Sequence, residues 1–292
     1  MSKPRKKTIC LLLAALLLLS SCGPAPSSSP TAAPDPHAGE VQVIYGTAGN
    51  KWVPRLPDMP VSALLPSDFS REGDFIRYAS SDTVSVQGID VSFYQKTIDW
   101  TQVADAGIQF AIIRAGYRGS SEGVLYEDDC FAQNLQGARD AGLAVGLYFF
   151  SQAVTPEEAT QEAEFVLSLL SGQSLDLPIF FDWEPVTNQE SGARTDNLDG
   201  ETLTDCALAF RNAIEAAGYD AGVYFNRSLG YFSYDLSRLR SMHFWFSGTG
   251  GFSDFYYAHG YWQYSYTAAV PGIEGNVDLN LRFVPAANAP AG

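Results

Sequence analysis

Histidine is scarce in this chain of 292 residues. There are three, His37, His243 and His259, and no two are spaced as metal ligands. Neither H-E-x-x-H nor C-x-x-C occurs, which argues against the common zinc sites. A glycine-rich phosphate loop is missing too. No metal ion or cofactor is therefore expected. Bases are in short supply: 18 Lys and Arg stand against 33 Asp and Glu, a formal charge of -15. Such a surface repels nucleic acid and anionic lipid headgroups. What is plentiful is apolar material. Hydrophobic residues make up 46% and aromatics 13%, enough for a sizeable core in one large domain or two small ones.

The first 22 residues are set apart by their pattern. Lys3, Arg5, Lys6 and Lys7 precede an apolar run of eleven residues, Ile9 to Leu19. The run is too short to span a bilayer comfortably and reads as the core of a secretory signal. It ends in LSSC, Leu19 to Cys22, which resembles the lipobox of bacterial lipoproteins. The resemblance implies a signal peptide over 1–22, acylation of Cys22 and attachment to the outer face of the cytoplasmic membrane, facing the cell wall. A Pro/Ser-rich stretch over 23–40 suits an unfolded tether. Without the leader the chain carries 14 bases against 33 acids, a formal charge of -19. Cys130 and Cys206 lie in helical patterns and read as separate thiols, not a disulfide.

Residues 41–85 are irregular and read as an N-terminal extension packed on the main domain. Phe75 to Val86 suggests a short hairpin turning through Ser80-Ser81-Asp82. From Val86 to about residue 285 strand and helix patterns alternate. Strands are expected at 86–92, 109–117, 143–150, 177–184 and 221–225, the first four followed by helices near 98–106, 128–141, 156–170 and 201–217. Three more strands, at 243–247, 261–265 and 276–280, have little helix between them. Thr155 followed by Glu158 has capping-box spacing, and Gly142 and Gly218 stand where helices should stop. The order argues for an α/β fold of βα units around a mostly parallel sheet covered on both faces. An eight-stranded TIM-like barrel with an irregular second half fits best; an open doubly wound sheet is the alternative. Residues 286–292 read as a flexible C-terminus.

Within LPIFFDWEP, Leu177 to Pro185, two acids interrupt an apolar strand. Side chains alternate, so Asp182 and Glu184 share one side while Phe181 and Trp183 take the other. Pro185 ends the strand, which places both acids at its C-terminal end, where barrel enzymes keep their chemistry. Asp90 ends the first strand and Asp278 lies in the last, so barrel closure would bring all four to one mouth. Crowding and burial raise at least one carboxyl's pKa, leaving a proton donor at neutral pH beside an anion. Glycoside hydrolysis needs that division of labour. Tyr117, Tyr148, Tyr224, Trp245, Trp262 and Tyr264 could wall a sugar-binding cleft, with roughly half of such rings expected to be core instead. A lone D-x-E is a weak signal, and Asp90 or Asp278 alone could simply cap a helix or tie a loop.

The residues resemble a known family. GIDVSFYQKTIDW (88–100), FAIIRAGYRG (110–119), NLQGARDAGLAVGLYFFS (134–151), LPIFFDWE, AGVYFN (221–226), YWQYS and GIEGNVDLN (272–280) are similar, in order and spacing, to glycoside hydrolase family 25, the Chalaropsis-type lysozymes or muramidases. The resemblance covers about Val86 to Phe283. It implies a (β/α)5β3 barrel and a monomer that cleaves the β-1,4 bond between N-acetylmuramic acid and N-acetylglucosamine in the glycan strands of peptidoglycan. By resemblance Glu184 is the general acid. Asp182 stabilises the developing positive charge or orients the substrate acetamido group, and Asp90 and Asp278 hold the cluster. Tyr117, Tyr148, Tyr224, Trp245, Trp262 and Gln263 would contact substrate. HFWFSGTGG, from His243, departs from the family pattern after Trp245, which puts the substrate wall there in question. Two other readings compete: a wall-binding lipoprotein of weak or no activity, and another barrel glycosidase acting on N-acetylglucosamine polymers. Chitinase-like barrels also end a strand in D-W-E, but their further acids are replaced here by Phe180 and Leu177.

Overall fold

A computed structural model describes residues 35–44, 49–186 and 192–289. The expected signal peptide, Cys22 and the expected tether as far as residue 34 lie outside the described residues. No helix among the described residues is long and apolar enough to cross a membrane.

The extension contains two hairpins. β1 (Glu40–Ile44) pairs antiparallel with β2 (Asn50–Pro54), and β3 (Phe69–Glu72) with β4 (Phe75–Tyr78). Glu40, expected in the tether, thus opens a strand. The Ser80-Ser81-Asp82 turn is present: Ser80 N–H donates to Thr83 O, and Ala79 bridges Val84. The strand before it, however, zips to β3 and not to its successor. Ser85 Oγ takes the Tyr78 N–H there, so a side chain replaces a ladder bond.

The main domain then runs β5 (Thr83–Val91), α1 (Trp100–Asp105), β6 (Phe110–Arg118), β7 (Leu125–Glu127), α2 (Phe131–Asp140), β8 (Ala144–Ser151), α3 (Pro156–Leu170), β9 (Ile179–Trp183), α4 (Gly200–Ala216), β10 (Ala221–Asn226), α5 (Arg227–Phe232), β11 (His243–Ser247), β12 (Tyr261–Ala268) and β13 (Val277–Pro285). Strand order is β5-β13-β12-β11-β10-β9-β8-β6, and β5 also pairs with β6, which closes an irregular (β/α)5β3 barrel. Within the barrel all neighbours are parallel except β13, which runs antiparallel to both β12 and β5; β7 adds antiparallel to β6 at the edge. The edge strand β7 and the one-turn-plus helix α5 gave no clear periodic signal because each is too short to show one.

The helices end as their sequences direct. Thr155 Oγ1 accepts the Glu158 N–H at the start of α3, and Gly142 and Gly218 take left-handed φ values of 79° and 88° just past α2 and α4. The Glu158 carboxylate reaches the N–H of Val154 instead of the cap residue. Ala286–Asn288, expected to be flexible, forms a 3-10 turn whose first N–H donates to Asp82 O.

Bulky residues fill the barrel interior: Phe110, Ile112, Phe180, Tyr224, Trp245 and Tyr261 form one cluster. Two glycines make room for two of the rings. A Cβ at Gly88 would overlap the Phe110 ring, and one at Gly222 the Phe180 ring. The rest of the core lies between the sheet and its outer cover. Filling the lower barrel with rings leaves only its mouth open to solvent, and the polar residues of the strand ends gather there.

Candidate active site

Every residue of β9 is buried, yet alternation holds. Phe181 packs outward on Phe210 of α4, with centroids 5.4 Å apart, while Asp182 and Glu184 face a cavity of about 570 Å³ at the barrel mouth. Asp90 and Asp278 line the same cavity and are direct register partners on β5 and β13. The four acids expected to converge therefore do so. Asp278 reaches the mouth for a reason the sequence pattern did not show. It is the second residue of its strand, and because β13 runs backwards its beginning lies at the mouth.

The acids are held by amides. Gln263 Nε2 donates to Asp90 Oδ2 at 2.9 Å and to Asp278 Oδ2 at 3.1 Å, while its Oε1 accepts from Tyr224 Oη and Ser247 Oγ, both at 2.9 Å. Asn280 Nδ2 donates to Asp90 Oδ2 at 2.7 Å, and Trp245 Nε1 fixes the Asn280 carbonyl at 2.8 Å. The Asn280 orientation is thus set by Trp245, whose indole N–H can only donate. Gln152 Nε2 donates to the backbone carbonyl of Glu184 at 2.9 Å. Gln152 is itself held by Thr195, and Arg194 ties its carbonyl to the Glu158 carboxylate.

Burial dominates the proton chemistry. It pushes Asp182 well above the ordinary carboxylate range, with Glu184 and Asp90 adding to the rise and Arg114 opposing it. Glu184 is raised by burial and then by the Asp90 charge. Asp278 rises to about 8, through burial first and its neighbour Asp90 second. Asp90 is raised by burial against the pull of Asn280 and Gln263, which favour its anion. The cluster therefore holds protons at neutral pH, with the most amide-solvated member, Asp90, best suited to stay charged. Asp182 Oδ1 is buried without a hydrogen-bond partner.

Arg114 is the one cation among the described residues lining the cavity. Its Nε donates to Asp128 at 2.7 Å, and its guanidinium lies 4.9 Å from the Phe93 ring centroid and 5.4 Å from those of Tyr94 and Tyr117. Arg114, Asn280 and Gln152 were not singled out from the sequence. Asn280 was accessible to alternation, since it stands two residues from Asp278. Gln152 acts through a backbone contact that has no sequence signature.

Of the expected substrate contacts, Tyr148, Tyr224, Trp245 and Gln263 line the cavity. Trp262 does not. Neighbours on a strand face opposite sides, so Trp262 and Gln263 cannot both look inward. Trp262 is fully buried outside the barrel, 5.6 Å from Phe69 of the extension. Tyr264 likewise points outward, its hydroxyl accepting from Gln87 Nε2 and the Ile76 N–H. Tyr117 stacks on Tyr126 at 5.1 Å, one step outside the cavity lining. Cys130, which precedes α2 at its N-cap and not within it, and Cys206, inside α4, are free thiols. Among the described residues no group of His, Cys, Asp and Glu could hold a metal ion.

A closed barrel with paired carboxyls at the C-terminal ends of its parallel strands is an arrangement that glycoside hydrolysis can use. The chain belongs to the glycosyl hydrolases family 25, whose pattern it matches over residues 89–273. It is 32% identical over 217 residues to "Lysozyme M1" of Streptomyces globisporus, covering 68% of each chain. It is 27% identical over 198 residues to the "Autolytic lysozyme" of Clostridium acetobutylicum, spanning 55% of that protein's length. Among solved structures, the bacterial lysozyme from Streptomyces coelicolor superimposes with a TM-score of 0.56 at 28% identity, over 67% of this chain and 90% of that one. The modular autolysin LytC from Streptococcus pneumoniae, solved in complex with a synthetic peptidoglycan ligand, shares the fold with a TM-score of 0.60 at 21% identity, over 84% of this chain and 57% of its own.

Proposed function

We propose that the protein is a peptidoglycan muramidase that cleaves the β-1,4 bond between N-acetylmuramic acid and N-acetylglucosamine. The observation that carries this reading is the pairing of Asp182 and Glu184 on one strand end, inside a cavity shared with Asp90 and Asp278. Glu184, its pKa raised, gives its proton to the glycosidic oxygen as the bond to the anomeric carbon breaks. Asp182 keeps one buried oxygen unpartnered. From its place in the cavity lining, Asp182 orients the substrate acetamido group toward the anomeric carbon or stabilises the positive charge that develops there. Gln263 and Asn280 hold Asp90 and Asp278 in place and spread their charge over hydrogen bonds. Tyr148, Tyr224 and Trp245 form the cavity wall.

The test is release of reducing ends from purified peptidoglycan. Glu184→Gln keeps the shape and removes the transferable proton, so turnover is expected to fall by about 10² to 10⁴-fold while folding persists. Chitin oligomers, which lack the lactyl group and peptide stem, should be nearly untouched by the native protein. Near-native lysis by Glu184→Gln, or a preference for chitin, would overturn the assignment.

We further propose that the protein works outside the cell, held at the membrane by lipid on Cys22. The basic leader, its short apolar run and the LSSC sequence support this reading. Replacing Cys22 with Ala is expected to move the protein from the detergent phase to soluble fractions. Unchanged partitioning would remove the anchor.

A further inference from the structure

The catalytic cavity does not end at the acids. A second groove, of about 690 Å³, adjoins it and shares Asn226, Ser247 and Tyr266 with its lining. This groove lies where the sequence departs from the family pattern, along the segment Gly248 to Phe252. The chain leaves β11 there under firm control. The Gly248 N–H donates to Gln263 O, and its carbonyl accepts from Trp262 Nε1 at 2.9 Å. Beyond that anchor the loop opens, and Gly250 takes a left-handed φ of 91°. The extension supplies the opposite parts. Phe69 of β3 stacks on Phe252 at 4.9 Å with the planes 11° apart, and Ile44, at the end of β1, joins the lining.

Three features suit this groove to one kind of occupant. Its apolar surface is held up for contact: Tyr266 is 62% exposed and Phe252 37%. Its charges cancel, because Arg227 pairs with both oxygens of Asp254 at 2.6 and 3.0 Å. The remaining lining is small and polar: Asn226, Ser228, Thr249 and the glycine backbone. Flat rings beside neutral hydrogen-bonding groups fit a sugar, whose faces are apolar and whose edges carry hydroxyl and acetamido groups. A peptide stem bearing free carboxylates would find its cation already neutralised.

We propose that this groove is a second glycan-binding segment, occupied by the sugars that continue along the strand beyond the scissile bond. The proposal rests on the muramidase reading. It assigns the N-terminal extension a part in the site, since Phe69 braces Phe252 and Ile44 forms one lip. Binding energy gained there by long strands helps hold the reacting sugar in register at the acids.

Two variants test it. Phe252→Ala removes a ring. Gly251→Trp fills the groove without strain, because a Cβ at Gly251 meets nothing within 4 Å and the backbone is not left-handed. Hydrolysis is measured on uncrosslinked glycan strands of tetrasaccharide and octasaccharide length, with and without peptide stems. Both variants are expected to raise KM for the octasaccharide about tenfold and to leave the tetrasaccharide unchanged, with or without stems. Thermal melting of Gly251→Trp should match the native protein. Equal effects on short and long strands overturn the inference while the muramidase reading stands. A loss confined to stem-bearing strands assigns the groove to peptide and overturns it as well. Failure of the native protein to cleave any strand sinks both readings together.

Discussion

The half of the barrel from β6 to β10 and the half from β11 to β13 meet one requirement with different material. A sheet closed into a barrel has an outer face that must be covered. In the first half helices do this. Phe149 packs on Phe165 of α3 at 6.1 Å, and Phe181 on Phe210 of α4. The second half has almost no helix, and its outward residues are aromatic. Trp262 and Phe283 meet Phe69 at 5.6 and 6.3 Å, Phe283 meets Tyr78 at 5.7 Å, and Tyr264 accepts the Ile76 N–H. The hairpin β3–β4 thus stands where helices would. Segments outside a catalytic fold can be part of its core.

The division also runs through the site. The helix-covered half supplies Asp182 and Glu184, the pair to which chemistry is assigned. The extension-covered half supplies Asp278 and the amides that hold the cluster, with Asp90 at the seam between β5 and β13. Rigidity on both sides is needed, because a proton donor misplaced by about an ångström loses much of its effect.

The comparison can be broken most directly by paired core truncations. Ile76 of the extension and Ile214 of α4 are both fully buried. If both covers are integral, Ile76→Ala and Ile214→Ala should each cost about 2–5 kcal/mol in denaturant unfolding, with turnover per folded molecule retained. A cost at Ile76 well below that at Ile214 would make the extension an accessory.

A smaller effect sharpens the contrast within the site. Asp278 has a folded-state pKa raised from 3.8 to about 8. Between those values the unfolded chain releases a proton that the folded chain retains, so this group makes stability fall as pH rises through the window. Below it both states are protonated and nothing is lost. Asp278→Asn removes the liability. Its melting temperature should match the native protein near pH 4 and exceed it by roughly 2–4 °C near pH 8, while activity drops. A variant less stable than the native protein at pH 8 would show that the carboxyl supports the fold.

Much of the molecule was legible from local pattern. The eight barrel strands fall within a few residues of their apolar runs. The major helices follow their caps and glycines, and Asp182 and Glu184 share a side because alternation requires it. The errors are of another kind. The place of Trp262 near a strand end suggests a sugar platform, but Gln263 beside it faces inward and a strand cannot supply both. Tyr117 sits near a strand end but the register shift between Arg114 and Gly116 turns the chain there, and its ring goes to Tyr126. In both cases the phase of the strand, and not position along it, decides where the ring goes.

The sequence by itself determined the alternation of each strand, the helix boundaries and the crowding of acids among aromatic residues, since these depend on neighbours a few positions apart. Tertiary structure alone decided that β13 runs antiparallel, so that Asp278 arrives at the mouth and not at the opposite rim. It also decided that Gln263 spends its amide on Asp90 and Asp278, and that the β3–β4 hairpin covers β12 and β13. Those outcomes depend on barrel closure, which sets partners across gaps such as the 190 residues between Asp90 and Asn280. No local pattern of charge or hydrophobicity specifies contacts at that range; they follow from which closed arrangement buries the outer aromatic face and satisfies the buried polar groups together.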